Sequence, residues 1–271
     1  MYVTEKYQSI QDYRKEGTRM NTLSATIGRR VTVGLIGSLA AVSLAASAAS
    51  SAGIKAATGG RMPDSVAQKA VVLFSGKAED VAANWLKHGS NQNAAWKVVK
   101  GAMVAGGGDI VSKQKFTDFL LHVEFKVPYM PDAKGQGRGN SGVFLQGRYE
   151  IQVLDSYGLD EVGSGDCGGV YGKGAPLLKA YKKPREWQNY DIVFRAPRFD
   201  ADKKLTEHAR VTVFLNGAPI QNNFQIDGPT WGENFGEIWE PGPIVLQDHG
   251  NPCEFRNVWV LPLPEQGAQR Y

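Results

Sequence analysis

The residues best equipped for chemistry gather in one run, NSGVFLQGRYEIQVLDSYG, residues 140–158. Glu150, Gln152 and Asp155 occupy a segment whose other residues read as sheet core, and Gln146 and Arg148 precede them. Carboxylates and amides on one strand, with an arginine beside them, form a floor that can bind hydroxyl groups and move protons. Strict alternation puts Glu150 and Gln152 on one face and Ile151, Val153 and Asp155 on the other. Burying Asp155 without partners is costly. A one-residue bulge at Val153-Leu154 is therefore expected to bring Asp155 round to join Glu150 and Gln152. The second informative piece is LQDHG, residues 246–250, where Gln247 and His249 share strand parity. Histidine is the side chain suited to proton transfer near neutral pH. His122, beside Glu124, is a weaker candidate of the same kind.

These groups need a rigid frame, and period-2 alternation supplies one over most of the chain. In TDFLLHVEFKV, Phe119, Leu121, Val123, Phe125 and Val127 share one face, and Asp118, His122, Glu124 and Lys126 the other. EWQNYDIVFRAP sets Tyr190, Ile192 and Phe194 against Asn189, Asp191 and Arg195. ARVTVFLNGAPI runs into Asn216-Gly217, the dipeptide of a tight type I′ hairpin. GPIVLQDHG and FRNVWVLPL supply two closing strands. Helical signal is confined to residues 78–85. The spacing predicts an all-β, antiparallel two-sheet sandwich of jelly-roll type, with a concave polar face carrying the site. Gly106 to Gly108 are expected to form a hairpin turn. The glycine-rich run CGGVYGKGAPL, residues 167–177, lacks the strand-to-helix setting of a phosphate-binding loop; it turns a corner or brings backbone close to a ligand, with Lys173 directed at the cleft. WGENFGEIWE, residues 231–240, reads equally as packing or as an aromatic lid.

The N-terminal region reads as an export signal. Residues 31–45 form an apolar run preceded by Arg29 and Arg30 and followed by Ala46-Ser47-Ala48, a small-residue cleavage pattern. The expected organisation is a leader over 1–48, a flexible linker over 49–65, one domain over 66–264 and a tail over 265–271. A periplasmic or secreted location follows, by a Sec or twin-arginine route, with no stable membrane anchor after cleavage. The formal charge of +4 includes a surplus of three in residues 1–48, so the remainder is near +1. No basic tract with interleaved aromatics remains, which argues against nucleic acid as a partner. The two cysteines, Cys167 and Cys253, fit one disulfide or two free thiols equally by spacing.

The spacing Glu-x-Gln-x-x-Asp over residues 150–155 resembles the Glu-x-Asp-x-x-Glu strand of laminarinase-type β-glucanases, with an amide for the middle acid and a shortened last acid. A wider match is more specific. NSGVFLQGRYEIQVLDSYG, CGGVYGKGAPL, EWQNYDIVFRAPRFD and GPIVLQDHGNPCEFRNVWV together resemble the 3-keto-disaccharide hydrolase domain family, from Val71 to Leu263. That resemblance implies a concanavalin A-like lectin/glucanase fold and cleavage of glycosides already oxidised to a ketone at C3. It implies His249 or Glu150 as the proton-transfer group and a catalytic part for Glu124. Gln152, Asp155, Gln146 and Gln247 would hold substrate hydroxyls, and Arg148 and Lys173 would meet the keto oxygen. It further implies a divalent cation, held by Glu124, Glu150 and His249. Cys253 stands where the family pattern leads us to expect an aliphatic residue, so a Cys167–Cys253 disulfide would be peculiar to this chain. Two other readings share the fold: a retaining β-glucanase using Glu150 and Asp155, and a carbohydrate-binding domain without catalysis.

Overall fold

Alternating apolar and polar residues build two antiparallel sheets whose apolar faces meet. The computed structural model describes residues 64–230 and 236–265. The expected leader, most of the linker, residues 231–235 and the tail from 266 lie outside the described residues. A short helix α1 (Asp64–Ala67) leads into strand β1 (Val71–Phe74), and helix α2 (Ala78–Asn84) follows. Glu79 and Asp80 in the first turn of α2 suit its N-terminus. Its last residue Asn84 and the next, Trp85, both donate side-chain hydrogen bonds to Leu73 O, at 3.1 and 3.0 Å, which ties the helix to β1.

The remaining strands are β2 (Trp85–Lys87), β3 (Lys97–Val99), β4 (Ala102–Val104), β5 (Ile110–Phe116), β6 (Phe119–Lys126), β7 (Asn140–Leu145), β8 (Tyr149–Leu154), β9 (Gln188–Arg195), β10 (Arg198–Phe199), β11 (Leu205–Glu207), β12 (Ala209–Leu215), β13 (Ala218–Ile226), β14 (Gly242–Leu246) and β15 (Glu254–Pro262). The larger sheet runs β13-β12-β9-β6-β15-β4-β3, with β1 also paired to β15; the smaller runs β2-β5-β14-β7-β8. Strands β10 and β11 form a separate hairpin. The core lies between the sheets. Phe119, Leu121, Val123, Phe125, Tyr190, Ile192 and Phe194 enter from the larger sheet, and Val143, Leu145, Tyr149, Ile151, Ile244 and Leu246 from the smaller. Each such fully buried side chain contributes roughly 1.5–3 kcal/mol by leaving water.

Asn216 and Gly217 both take positive φ, 52° and 83°, as the two-residue type I′ connection between β12 and β13 demands. The all-β sandwich is thus as expected, with two local corrections. Gly106 to Gly108 make no hairpin, because β4 belongs to the larger sheet and β5 to the smaller; they carry the chain between sheets. No bulge interrupts β8: Ser141 pairs with Val153 and Asn140 with Leu154 in unbroken register. Of the two states the spacing left open for the cysteines, free thiols are found, each buried with its own partner. Cys167 Sγ lies 3.3 Å from the Tyr190 hydroxyl, while Cys253 Sγ donates to Asn140 O at 3.3 Å.

Candidate functional site

The outer face of the smaller sheet carries the candidate site. Tyr149, Ile151 and Val153 point into the core, so alternation turns Glu150 and Gln152 outward. Glu150 is nevertheless only 4% exposed. Its carboxyl lies against Gly142 of β7, where an added Cβ would come within 2.4 Å of Oε1. Only glycine leaves that room. The backbone beneath is pinned from the open edge of β8: Glu150 N–H donates to Thr230 Oγ1 at 2.8 Å, and Glu150 O accepts from Tyr171 N–H at 3.1 Å. Phe144 and Val245 stand in the same cross-strand row as Glu150 and give the floor an apolar patch. Burial first, and then the negative charge of Asp109, push the Glu150 carboxyl up from its ordinary 4.5 to about 8. A carboxyl in that state holds its proton at neutral pH and exchanges it close to neutrality.

The next row holds the other candidate residues. Gln247 N–H donates to Gly142 O at 3.0 Å, and Ser141 Oγ donates to Gln247 O at 2.6 Å, so Gln247 continues the pairing of β14 with β7. The following residues form a clamped turn. Asp248 N–H donates to Asp109 Oδ1 at 2.7 Å, Gly108 N–H to Asp248 Oδ2 at 2.8 Å, and Gly250 N–H to Asp248 Oδ1 at 3.0 Å. His249 sits on this turn, exposed to solvent. Asp109 escaped the sequence reading, since its importance comes from the pairing of β5, β14, β7 and β8, which spacing along the chain does not reveal. Its one local signal is an acid with the outward parity of Val111 at the head of a strand.

Several expected substrate-binding side chains are engaged by the fold itself. Gln146 lies in the β7–β8 turn rather than on a strand, and donates to Phe116 O at 2.9 Å. Arg148, 1% exposed, donates to Glu240 O at 3.1 Å and Glu237 O at 2.7 Å, so it anchors the loop ahead of β14 instead of facing a ketone. Gln152 donates to Gln136 Oε1 at 2.9 Å and accepts from Val153 N–H at 2.9 Å. Asp155 lies past the end of β8, where Arg138 pairs with it at 2.9 Å and Tyr157 N–H donates to it at 3.2 Å. With no bulge, it does not join Glu150. Lys173 pairs with Asp227 at 3.0 Å. The glycine-rich loop that carries it borders β8: Gln152 N–H donates to Gly169 O and Gly168 N–H to Gln152 O. Of the aromatic segment, Trp239 is partly exposed, with Lys203 4.3 Å above its ring and Phe199 at its edge.

Glu124 is elsewhere. It alternates with Val123 and Phe125, core residues of β6, and so faces outward from the larger sheet, across the whole core from Glu150. There Arg256 Nε donates to it at 2.6 Å and Asn257 Nδ2 at 2.9 Å. Its neighbour His122 bonds Asp191 through Nδ1 at 2.7 Å and stacks on Trp259, with ring centroids 5.1 Å apart. Burial would lower the His122 pKa, but the bonds to Asp191 and Glu124 outweigh it and raise the ring from 6.5 to about 8. For Glu124, burial would raise the carboxyl, and its bonds to His122, Asn257 and Arg256 instead hold it near 2. Glu124, Glu150 and His249 therefore cannot close on one cation. Among the described residues no group of three or more His, Cys, Asp or Glu side chains is arranged to hold a metal ion.

Solved structures with the same architecture include two candidate glycosyl hydrolases from Parabacteroides distasonis. One is 41% identical, covering 72% of this chain and 84% of its own, with a TM-score of 0.64. The other is 21% identical, covering 72% and 94%, with a TM-score of 0.53, and shares the fold. No protein of curated function matches the chain. The model of the 3-keto-alpha-glucoside-1,2-lyase-like domain spans residues 69–261, nearly all of the sandwich, and the chain belongs to that family.

Proposed function

We propose that this protein cleaves glycosides that carry a ketone at C3, by removing the C2 proton and expelling the C1 substituent. Family membership and likeness to candidate glycosyl hydrolases support a carbohydrate-active protein. The observation that carries the finer reading is Glu150, a buried carboxyl on the outer floor that holds its proton up to about pH 8. A C3 ketone makes the C2–H bond acidic, since the electron pair left behind is shared with the ketone oxygen as an enolate. That pair then forms the C1–C2 double bond as the C1–O bond breaks, and the departing oxygen takes a proton. Glu150 gives that proton, and His249, on the rim beyond Gln247, takes the one from C2. Water added across C1–C2 afterwards would complete a hydrolysis.

A retaining glucanase reading loses its second carboxylate, because Asp155 is bound to Arg138 beyond the end of the strand. The test is turnover of a 3-keto-glucoside, its C2-deuterated form and its unoxidised parent. The expected outcome is cleavage of the keto sugar alone, slowed roughly two- to sevenfold by deuterium if C–H cleavage limits the rate, and a loss of rate above about pH 8 as Glu150 gives up its proton. Cleavage of the parent sugar, or equal binding of both sugars with no turnover of either, would overturn the proposal.

A further inference from the structure

Further along the floor from Glu150, one exposed side chain covers a set of polar groups that it does not fully satisfy. We propose that Gln136 is a placeholder over a hydroxyl-binding subsite made by Asn140, Gln152 and the carbonyl of Gly165. A vicinal hydroxyl pair on the group that leaves from C1 displaces the Gln136 amide and takes its bonds. The proposal deepens the reading of Glu150 as the acid that protonates that leaving group, and rests on it.

The floor follows from strand pairing. Gly142 pairs with Gln152 and Asn140 with Leu154, so Asn140 has the outward parity of Gly142 and Phe144 on β7. Glu150 and Gln152 share the outward face of β8, which makes the two places neighbours. Tyr171 joins them, since its N–H donates to Glu150 O at 3.1 Å and its ring lies beside Gly165. Asn140 and Gln152 are each 1% exposed, whereas Gln136 stands in the exposed turn Gly135–Gly137. Asn140 Nδ2 donates to Gln136 Oε1 at 3.1 Å and to Gln136 O at 2.8 Å. Gln152 Nε2 donates to Gln136 Oε1 at 2.9 Å and to Gly165 O at 3.3 Å. Gln136 Nε2 in turn donates to Gly165 O at 2.7 Å, across a glycine whose added Cβ would stand 3.3 Å from that nitrogen. Asn140 Oδ1 is buried and has no hydrogen-bond partner.

With the Gln136 side chain turned out to solvent, the floor offers an N–H from Asn140, an N–H from Gln152, and two acceptors, Gly165 O and Asn140 Oδ1. The Gln136 amide answers the first three and leaves Asn140 Oδ1 unanswered, which is the costly state for a buried acceptor. A vicinal diol answers all of them, because each hydroxyl donates one hydrogen bond and accepts another. The flanking charges are already matched: Arg138 pairs with Asp155 at 2.9 Å, and Asp166 accepts from Gly163 N–H and Ser156 Oγ. The subsite therefore suits a neutral polyol rather than an anion. In a glucoside with a ketone at C3, the free ring hydroxyls at C2, C4 and C6 are not adjacent to one another. The pair thus belongs to the group at C1, next to the oxygen that Glu150 protonates.

A placeholder and a fixed staple differ in what Gln136→Ala does to sugar binding. The 15N-labelled full-length protein would be titrated with methyl α-D-glucopyranoside by NMR, with the Gln136 side-chain amide signal assigned by its absence from Gln136→Ala. The expected result is that this signal moves to the position of a free, solvated amide as sugar binds. Gln136→Ala should bind the sugar about threefold to tenfold more tightly, because no side chain has to be displaced first. Adding Asn140→Ala to that variant, with folding checked by its urea midpoint, should remove the gain; should the double variant not fold, the single variant and the amide signal decide. An unmoved amide signal, equal or weaker binding by Gln136→Ala, or the same displacement by sodium sulfate would overturn the proposal. The probe carries no ketone, so failure of 3-keto-sugar cleavage would leave this result standing, and the reverse also holds.

Discussion

At the scale of single residues, the buried Glu150 carboxyl makes stability depend on pH. Its folded pKa of about 8 lies above the ordinary 4.5, so its favourable contribution is complete below about pH 4.5 and is lost as pH rises through about 8. The full shift corresponds to an upper bound of about 5 kcal/mol. His122 has the same sign, with stability present below 6.5 and lost through about 8, worth about 2 kcal/mol. The protein should therefore resist urea better at pH 6 than at pH 9. Glu150→Gln should be the more stable protein at pH 9 and lose most of that advantage at pH 5, because glutamine cannot be forced to carry a buried charge. Equal midpoints for wild type and variant at both pH values would contradict the assigned environment of Glu150. Residue type announced which side chains could do chemistry, but not which were free to do it. Arg148, Gln152 and Asp155 have the right chemistry and direct it to Glu237 O, Gln136 and Arg138.

At the scale of elements, the strands were legible because one face of each is buried, which forces alternation. The Asn216-Gly217 hairpin was legible because two successive positive φ angles demand those residues. Sheet membership was not legible. Strands β6 and β8 both alternate cleanly, and nothing local says that they lie in different sheets, so Glu124 and Glu150 could be expected together and are found apart. The loop before β14 illustrates a different dependence. Residues 237–240 are held from below by Arg148, while Lys203 and Phe199 approach Trp239 from the β10–β11 hairpin. Arg148→Met should cost roughly 2–4 kcal/mol, since it removes a buried guanidinium whose charge-assisted bonds hold the part-buried carbonyls of Glu237 and Glu240. It should also speed amide exchange in residues 236–241 before it affects β12 or β13. Uniform acceleration across the sandwich, or none, would count against a local anchoring role.

At the scale of the whole molecule, two sheets separate two polar centres. The outer face of the larger sheet holds His122, Asp191, Glu124, Asn257 and Arg256 in a network whose members satisfy one another. The outer face of the smaller sheet holds Glu150, a carboxyl kept from water without a salt-bridge partner among the described ion pairs. Mutual satisfaction is what structure needs; a buried carboxyl that keeps its proton near neutrality is what proton transfer needs. This contrast is why the outer face of the smaller sheet is proposed as the site, and family membership supports a carbohydrate-active role for the protein. The most direct measurement is kcat/KM on a 3-keto-glucoside at pH 7 for wild type and Glu150→Gln, with folding of the variant checked by its urea midpoint. The account expects the folded variant to lose at least about a hundredfold in rate. A folded Glu150→Gln protein that cleaves the keto sugar as fast as wild type would contradict it.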